Sequence, residues 1–191
     1  MLPLVLGSTS RYRRELLERL GITFSVAKPD CDETPLAGET AAETACRLAR
    51  IKAQSLASTY PAALIIGSDQ VALLDGVQLG KPGNFERAFS QLTAMRGKTI
   101  VFHTALCLFN SQSGQTQEVV VPWHVTMRNY SDDEIRNYLE REQPYDCAGS
   151  AKTEGLGVTM IQSMQGSDPA AIIGLPLIEL CHMLRREGFS L

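Results

Sequence analysis

The sequence predicts an α/β fold, and three observations carry that expectation. Short apolar runs alternate along the chain with segments of helical spacing. Two capping boxes, Thr40-Ala41-Ala42-Glu43 and Ser131-Asp132-Asp133-Glu134, mark helix starts. Gly21, Gly97 and Gly188 fall where helices should stop. The 191 residues suffice for one domain, or one domain with two lobes, and for a full core without disulfides. No repeat, low-complexity segment or linker interrupts them.

Pro3 to Leu6 reads as a short apolar strand. Ser10 to Leu20 follows as a helix with Leu16, Leu17 and Leu20 on one face. Ile22 to Ala27 is a second strand, and Lys28 to Gly38 a loop rich in Asp, Glu and Pro. Thr40 to Thr59 is the clearest helix. Ala62 to Ile66 reads as a buried strand that ends in Gly67-Ser68-Asp69-Gln70. Val71 to Leu74 and Val77 to Leu79, joined by Asp75-Gly76, form a hairpin. Asn84 to Arg96 is a helix. Lys98 to Phe109 and Glu118 to Arg128 are longer strands joined by the polar turn Asn110 to Gly114. Ser131 opens a helix that runs to Arg141. Gly155 to Met164 and Ala170 to Ile173 read as late strands, and Gly174-Leu175-Pro176 leads into the last helix.

Composition narrows the function classes. Hydrophobic residues make up 44% and charged residues 20%, an ordinary globular balance. The net charge of −3 disfavours an extended nucleic-acid partner but leaves room for a small polyanion held by a local basic cluster. The five cysteines, Cys31, Cys46, Cys107, Cys147 and Cys181, are odd in number and widely spaced, with no C-x-x-C. That argues against a zinc site or a secreted disulfide scaffold and fits a reducing cytoplasm. The opening Met1-Leu2-Pro3-Leu4-Val5-Leu6 is too short for a signal or a membrane span.

Three segments place polar groups just after a strand, where open α/β sheets bind ligands. Gly7-Ser8-Thr9-Ser10 precedes Arg11, Tyr12, Arg13 and Arg14. Small hydroxyl residues let backbone approach a phosphate, and the free N–H groups of the new helix favour an anion. Arginines in a first helical turn oppose the helix dipole, which tilts this segment towards an anion site rather than a plain cap with a solvated face. Asp69, after its apolar strand, has the position of a metal ligand or general base, and also that of a simple turn former. Gly80-Lys81-Pro82-Gly83 presents Lys81 from a tight turn, which by itself reads as an ordinary hairpin exit. Lys52 shares a helix face with Leu48 and Leu56, so it either snorkels to solvent or reaches a buried anion. Gly97-Lys98-Thr99 is not a P-loop, because Leu92 stands where the first glycine belongs. His103, His124 and His182 lack metal-ligand spacing.

As an ordered set, Gly7-Ser8-Thr9-Ser10, Arg13-Arg14-Glu15-Leu16-Leu17, Asp32-Glu33, the Lys52 helix, Gly67-Ser68-Asp69-Gln70, Gly80-Lys81-Pro82, Ala148-Gly149-Ser150 and Gly174-Leu175-Pro176-Leu177 resemble the Maf family of nucleotide pyrophosphatases. The resemblance spans essentially the whole chain. It implies one Maf-like domain over residues 1–191, inosine-triphosphatase-like in fold. An elongated mixed sheet with helices and a deep cleft between two lobes is expected. A homodimer and a divalent cation, Mg²⁺ or Mn²⁺, are also implied. Asp69 matches the catalytic acidic residue and, with Glu33, the metal position. Ser8, Arg13, Lys52 and Lys81 match the phosphate-handling positions.

Family members acting on pyrimidine nucleotides carry Ser-Pro-Arg-Arg in the first motif, Ala-Asp-Thr in the second and glutamine in the late one. This chain has Tyr12, Gln70 and Glu154 instead and is similar to the branch acting on 7-methyl-GTP. The physical rationale is charge. Methylated guanine is cationic, Tyr12 offers a ring for cation–π stacking, and Glu154 offers a carboxylate to the guanine N1–H and exocyclic amine. The alternatives are dTTP or UTP hydrolysis, or a nucleotide-sensing regulator of cell division without turnover. The expected partner is a small nucleotide, with neither nucleic acid nor membrane.

Overall fold

A computed structural model describes residues 2–34 and 36–191. Seven strands and five helices follow in the order β1 (Leu4–Gly7), α1 (Arg11–Glu18), β2 (Ser25–Ala27), α2 (Ala41–Gln54), β3 (Leu64–Leu74), β4 (Val77–Leu79), α3 (Phe85–Met95), β5 (Thr99–Asn110), β6 (Thr116–Met127), α4 (Asp132–Glu142), β7 (Ile161–Gly166) and α5 (Leu177–Arg186). The strand order is β2-β1-β3-β5-β6-β7, with β4 added to β3. Parallel pairs β1–β2 and β1–β3 and antiparallel pairs β3–β4 and β6–β7 make the sheet mixed, as the family resemblance implies. No described helix is long and apolar enough to cross a membrane, and no disulfide joins the described cysteines. Burial pushes the Cys107 thiol up to about 12, which makes it inert at neutral pH.

The chain divides into two compact units. The first holds Met1–Gln70, His103–Val121 and Asp168–Leu191, and the second Val71–Phe102 and Pro122–Ser167. The core of the first is built from Leu4, Leu6, Leu64, Ile66, Leu106 and Leu108 of the strands, with Leu16 and Leu17 of α1 and Leu180 and Leu184 of α5. Leu16 and Leu17 are fully buried, which contributes about 1.5–3 kcal/mol each. The second unit packs Ala88, Leu92 and Met95 of α3 and Ile135, Tyr138 and Leu139 of α4 into its interior. There Tyr130 donates its hydroxyl to Leu92 O at 2.8 Å.

The caps lie where the sequence puts them. Ser10, Thr40, Asn84 and Ser131 cap α1 to α4, and both capping boxes close reciprocally. Asp75 and Gly76, both with positive φ, turn the β3–β4 hairpin.

Several boundaries differ. The expected strand 22–27 pairs only from Ser25, which lies opposite Val5 of β1. Ile22 and Phe24 pack on the core instead. The helix expected to Thr59 ends at Gln54 and continues as turns, with Ser55 Oγ donating to Lys52 O. Of the expected strand 155–164, Leu156–Met160 is a 3₁₀ turn and only Ile161–Gly166 pairs. The turn is closed by Gly155 N donating to Lys152 O at 3.1 Å and Val158 N donating to Gly155 O at 3.3 Å. The expected strand 170–173 is a 3₁₀ turn, Ala171–Ile173. Asp168 bends it by accepting from Ala170 N at 3.0 Å and Ile178 N at 2.7 Å. Asp69 does not follow a strand: it lies inside β3, which runs unbroken through Gly67-Ser68-Asp69-Gln70.

Candidate active site

The neighbouring strand decides what Asp69 can reach. β1 pairs with β3 up to Leu6 opposite Ile66 and stops at Gly7. Asp69 and Gln70 therefore extend past the carboxyl end of β1, in the position that open sheets use for ligands. Gly67 brings β3 hard against α2. A Cβ there would overlap Ala49 O and the Ala53 backbone, so only glycine allows the contact. Lys52 lies between those two residues, and the close approach delivers its side chain to Asp69.

Lys52 is 6% exposed, level with Leu48 and Leu56 on the same face. It does not snorkel to solvent. Its Nζ lies 2.6 Å from Asp69 Oδ1 and 2.6 Å from Glu33 Oε2. Two carboxylates from β3 and the 28–40 loop thus converge on one ammonium. Glu33 is more than half exposed, so its bond is the more screened of the two. The loop is held from α2: Arg47 donates to Thr34 O at 3.2 Å and makes a two-pronged pair with Glu39 at 2.5 and 2.8 Å. Asp32 accepts from Thr34 N and Oγ1 and turns the chain at Glu33.

Of the arginines after the first motif, only Arg13 turns inward. Arg11 and Arg14 pair with Glu15 and Glu18 on the exposed face of α1. Arg13 Nε donates to Gly174 O at 2.8 Å, and its Nη1 lies 3.4 Å from Ser8 Oγ. Both acceptors are neutral, and among the described residues no carboxylate lies within ion-pair distance of Arg13. Dehydration lowers its pKa from the ordinary value, opposed by the fields of Asp69 and Glu33. A guanidinium so placed, with N–H donors that have no charged partner among the described residues, has the chemistry to take an anion. Ser8 is buried and also accepts from Ser10 N at 3.1 Å. Gly174 holds the carbonyl in place at φ +127°, which a side chain would strain.

Three supporting residues were not singled out from the sequence. Ser68, fully buried, donates to Ala105 O at 2.7 Å and lies 2.9 Å from Gly174 O. Thr104, also buried, donates to Ala171 O. Asp168 shapes the 168–178 segment, as above. The signal was a polar residue in a largely apolar strand, visible at Thr104 beside His103 but silent about its partner.

Gln70 spends its amide N–H groups on Thr104 Oγ1 and on the Ala171 and Ile172 carbonyls, at 2.8–3.1 Å. It fixes the 171–172 turn. Tyr12 is half-buried, with the Arg11 guanidinium carbon 5.1 Å from its ring centroid.

Lys81 and Glu154 belong to the second unit. Lys81 is exposed on the turn between β4 and α3 and lines a hollow of about 450 Å³ with Pro82, Glu86, Arg87, Ser90 and Gln91. Gln91 Nε2 donates to Gly80 O at 2.9 Å while its Oε1 accepts from Ser150 Oγ at 2.7 Å. One side chain thus ties the Lys81 turn to the segment leading to Glu154. Glu154 is exposed, with its carboxylate 3.4 Å from the Thr153 hydroxyl.

Glu33 and Asp69 are the two carboxylates that converge on Lys52. No group of three or more His, Cys, Asp or Glu side chains among the described residues could hold a metal ion. Two convergent hard oxygens fit Mg²⁺ or Mn²⁺, which take one or two carboxylates and complete their shell with phosphate oxygens and water.

A family model described as Maf-like protein matches residues 3–187. A protein named 7-methyl-GTP pyrophosphatase from Methylobacillus flagellatus is 56% identical over 188 residues, 98% of this chain and 98% of its own. One of the same name from Cupriavidus metallidurans is 55% identical over 97% of this chain and 94% of its own. Another from Chromobacterium violaceum is 57% identical over 97% of this chain and 96% of its own.

Proposed function

The chain belongs to the Maf family, and on that premise we propose that it is a nucleoside-triphosphate pyrophosphatase that hydrolyses 7-methyl-GTP to 7-methyl-GMP and pyrophosphate. The observation that carries the chemistry is the buried Lys52 between Asp69 and Glu33, in the same unit as a part-buried Arg13 that has no carboxylate in ion-pair distance among the described residues. The names of the relatives and the Tyr12, Gln70 and Glu154 set carry the choice of base.

Water attacks the α-phosphorus, the bond to the α–β bridging oxygen breaks, and pyrophosphate departs. Asp69 takes the proton of the attacking water. Lys52 orients that carboxylate through its 2.6 Å bond and places positive charge beside the phosphates. Arg13 and Lys81 bind phosphate oxygens, and Ser8 contributes its hydroxyl and the close backbone approach. A divalent cation, Mg²⁺ or Mn²⁺, held by Glu33 and Asp69 would neutralise phosphate charge and polarise the P–O bonds. Tyr12 stacks on the cationic base, and Glu154 accepts its N1–H and amine. The family resemblance further implies a homodimer, and the thiol pattern a cytoplasmic location.

The test is metal-dependent pyrophosphate release from 7-methyl-GTP, GTP, dTTP, UTP and CTP side by side. A clear preference for 7-methyl-GTP is expected. Preference for dTTP or UTP would overturn the roles of Tyr12 and Glu154. No release from any of them would leave a nucleotide sensor.

A further inference from the structure

One face of α4 grips the segment that carries Glu154 at two points. Tyr138, 4% exposed, donates its hydroxyl to Ser150 O at 3.0 Å and accepts from Lys152 N at 3.1 Å. Glu142 lies four residues on, one helical turn away on the same face. Its Oε1 accepts from Lys152 Nζ at 2.7 Å and its Oε2 from Leu156 N at 2.6 Å. Gly155 passes so close that a Cβ would stand 2.6 Å from Glu142 Oε2. Both Glu142 and Lys152 are largely shielded, at 10% and 23% side-chain exposure. Dehydration alone would raise the Glu142 pKa. Lys152 and the Leu156 N–H outweigh it and hold the carboxyl below its ordinary range, so it is charged at neutral pH.

The geometry points to Glu142 as a positioning residue for base recognition: it anchors the turn 152–156 and so fixes where the Glu154 carboxylate is offered to the base. The inference rests on the reading of Glu154 given above. The anchoring bonds fall on both sides of Glu154, at Lys152 and Leu156, while Glu154 itself stays exposed. A carboxylate on a turn tied at both ends needs no ordering when the ligand arrives. On a loose turn it must be ordered at each binding event, which weakens binding of the base and leaves the phosphate chemistry alone.

The experiment compares 7-methyl-GTP with methyl triphosphate, which has the phosphates without a base, in Glu142→Ala, Glu142→Gln, Lys152→Met and Glu154→Gln. The readout is the ratio of kcat/KM for the two substrates. Glu154→Gln and Glu142→Ala should each lower it by about tenfold, through KM, the scale of a lost or misplaced charged hydrogen bond. The double variant should fall no further than Glu154→Gln alone. Glu142→Gln, which keeps one acceptor for Leu156 N but loses the charge facing Lys152, should lower the ratio by less than Glu142→Ala. Should Glu142→Ala fail to fold, Lys152→Met cuts the Lys152 half of the anchor and leaves the Leu156 half, and it should lower the ratio by a smaller factor of the same kind. A folded anchor variant with an unchanged ratio, or an equal loss on both substrates, overturns the inference. If Glu154→Gln leaves the ratio unchanged, the Glu154 assignment itself falls, and the role of the anchor with it.

Discussion

In the first unit Lys52 stands on helix α2 and Asp69 on strand β3, and their 2.6 Å contact is set by the backbone-to-backbone approach at Gly67. In the second unit Lys81 and Glu154 stand on turns, both exposed, and are placed by side chains that reach in from helices, Gln91 from α3 and Glu142 from α4. The first arrangement buries charge and needs a rigid frame, because a dehydrated cation with a misplaced partner is costly. The second leaves its functional groups in solvent, where small shifts cost little. It follows that the proposed catalytic pair should fail abruptly when disturbed, and that the groups proposed to read the base should degrade by degrees.

The sharpest way to break the comparison is Asp69→Asn. The amide oxygen still accepts from Lys52, so circular dichroism should show an intact fold. Turnover should fall about 10²- to 10⁴-fold, the span usual for loss of a general base. Near-normal turnover would remove Asp69 from the chemistry and leave the buried pair as a structural feature.

Next comes Gly67→Ala, which adds one methyl group against Ala49 O and Ala53. The strand or helix must move, at about 1–3 kcal/mol for an overpacked core. The denaturant midpoint should drop, and activity should drop with it because the same movement separates Lys52 from Asp69. The control is Gly80→Ala, where a Cβ meets nothing within 4 Å. If both variants melt alike, the close approach is not what fixes the pair.

A smaller effect is expected at Tyr12→Leu. Cation–π contacts contribute about 0.5–2 kcal/mol, so KM for 7-methyl-GTP should rise roughly 2- to 30-fold. KM for GTP, with an uncharged base, should move less. Equal changes for the two nucleotides would mean that the ring serves packing with Arg11 rather than the base.

How much of this was legible in the sequence follows from the range of each interaction. Caps and hairpins act within four residues, so Thr40, Asn84, Ser131 and Asp75-Gly76 could be read directly. Lys52 was conspicuous as a lysine in an apolar stripe, yet its choice between solvent and an anion depended on Asp69, 17 residues away. Gly67-Ser68-Asp69-Gln70 has turn chemistry and was read as a strand end. It stays extended because Ser68 and Gln70 find acceptors at Ala105, Thr104, Ala171 and Gly174, more than 30 residues distant. The apolar run at 170–173 is too short to tell strand from turn by pattern. The Glu142 anchor joins a helix end to a turn, a contact that spacing alone does not reveal.

The smallest expected effect probes the outer support of the first unit. The Arg47 guanidinium, through its paired hydrogen bonds, takes Glu39 from an ordinary 4.5 down to about 2, and Leu36 N and Thr44 add to the shift against dehydration. A carboxyl depressed in the folded state stabilises the fold above its unfolded pKa and loses that contribution as pH falls through its folded one. The pair should therefore contribute fully at pH 6 and fade as pH falls from about 4.5 to 2. Measured against Glu39→Gln, wild type should have the higher Tm at pH 6, and the gap should close on acidification through that window. Arg47 also holds Thr34 O, next to Glu33, so the variant should loosen the loop that brings Glu33 to Lys52. Activity should then need more divalent cation to saturate, while turnover at saturation stays near wild type. A gap that is constant with pH would show that Glu39 acts through packing, and an unchanged cation requirement would separate the Glu39 support from the Glu33 site.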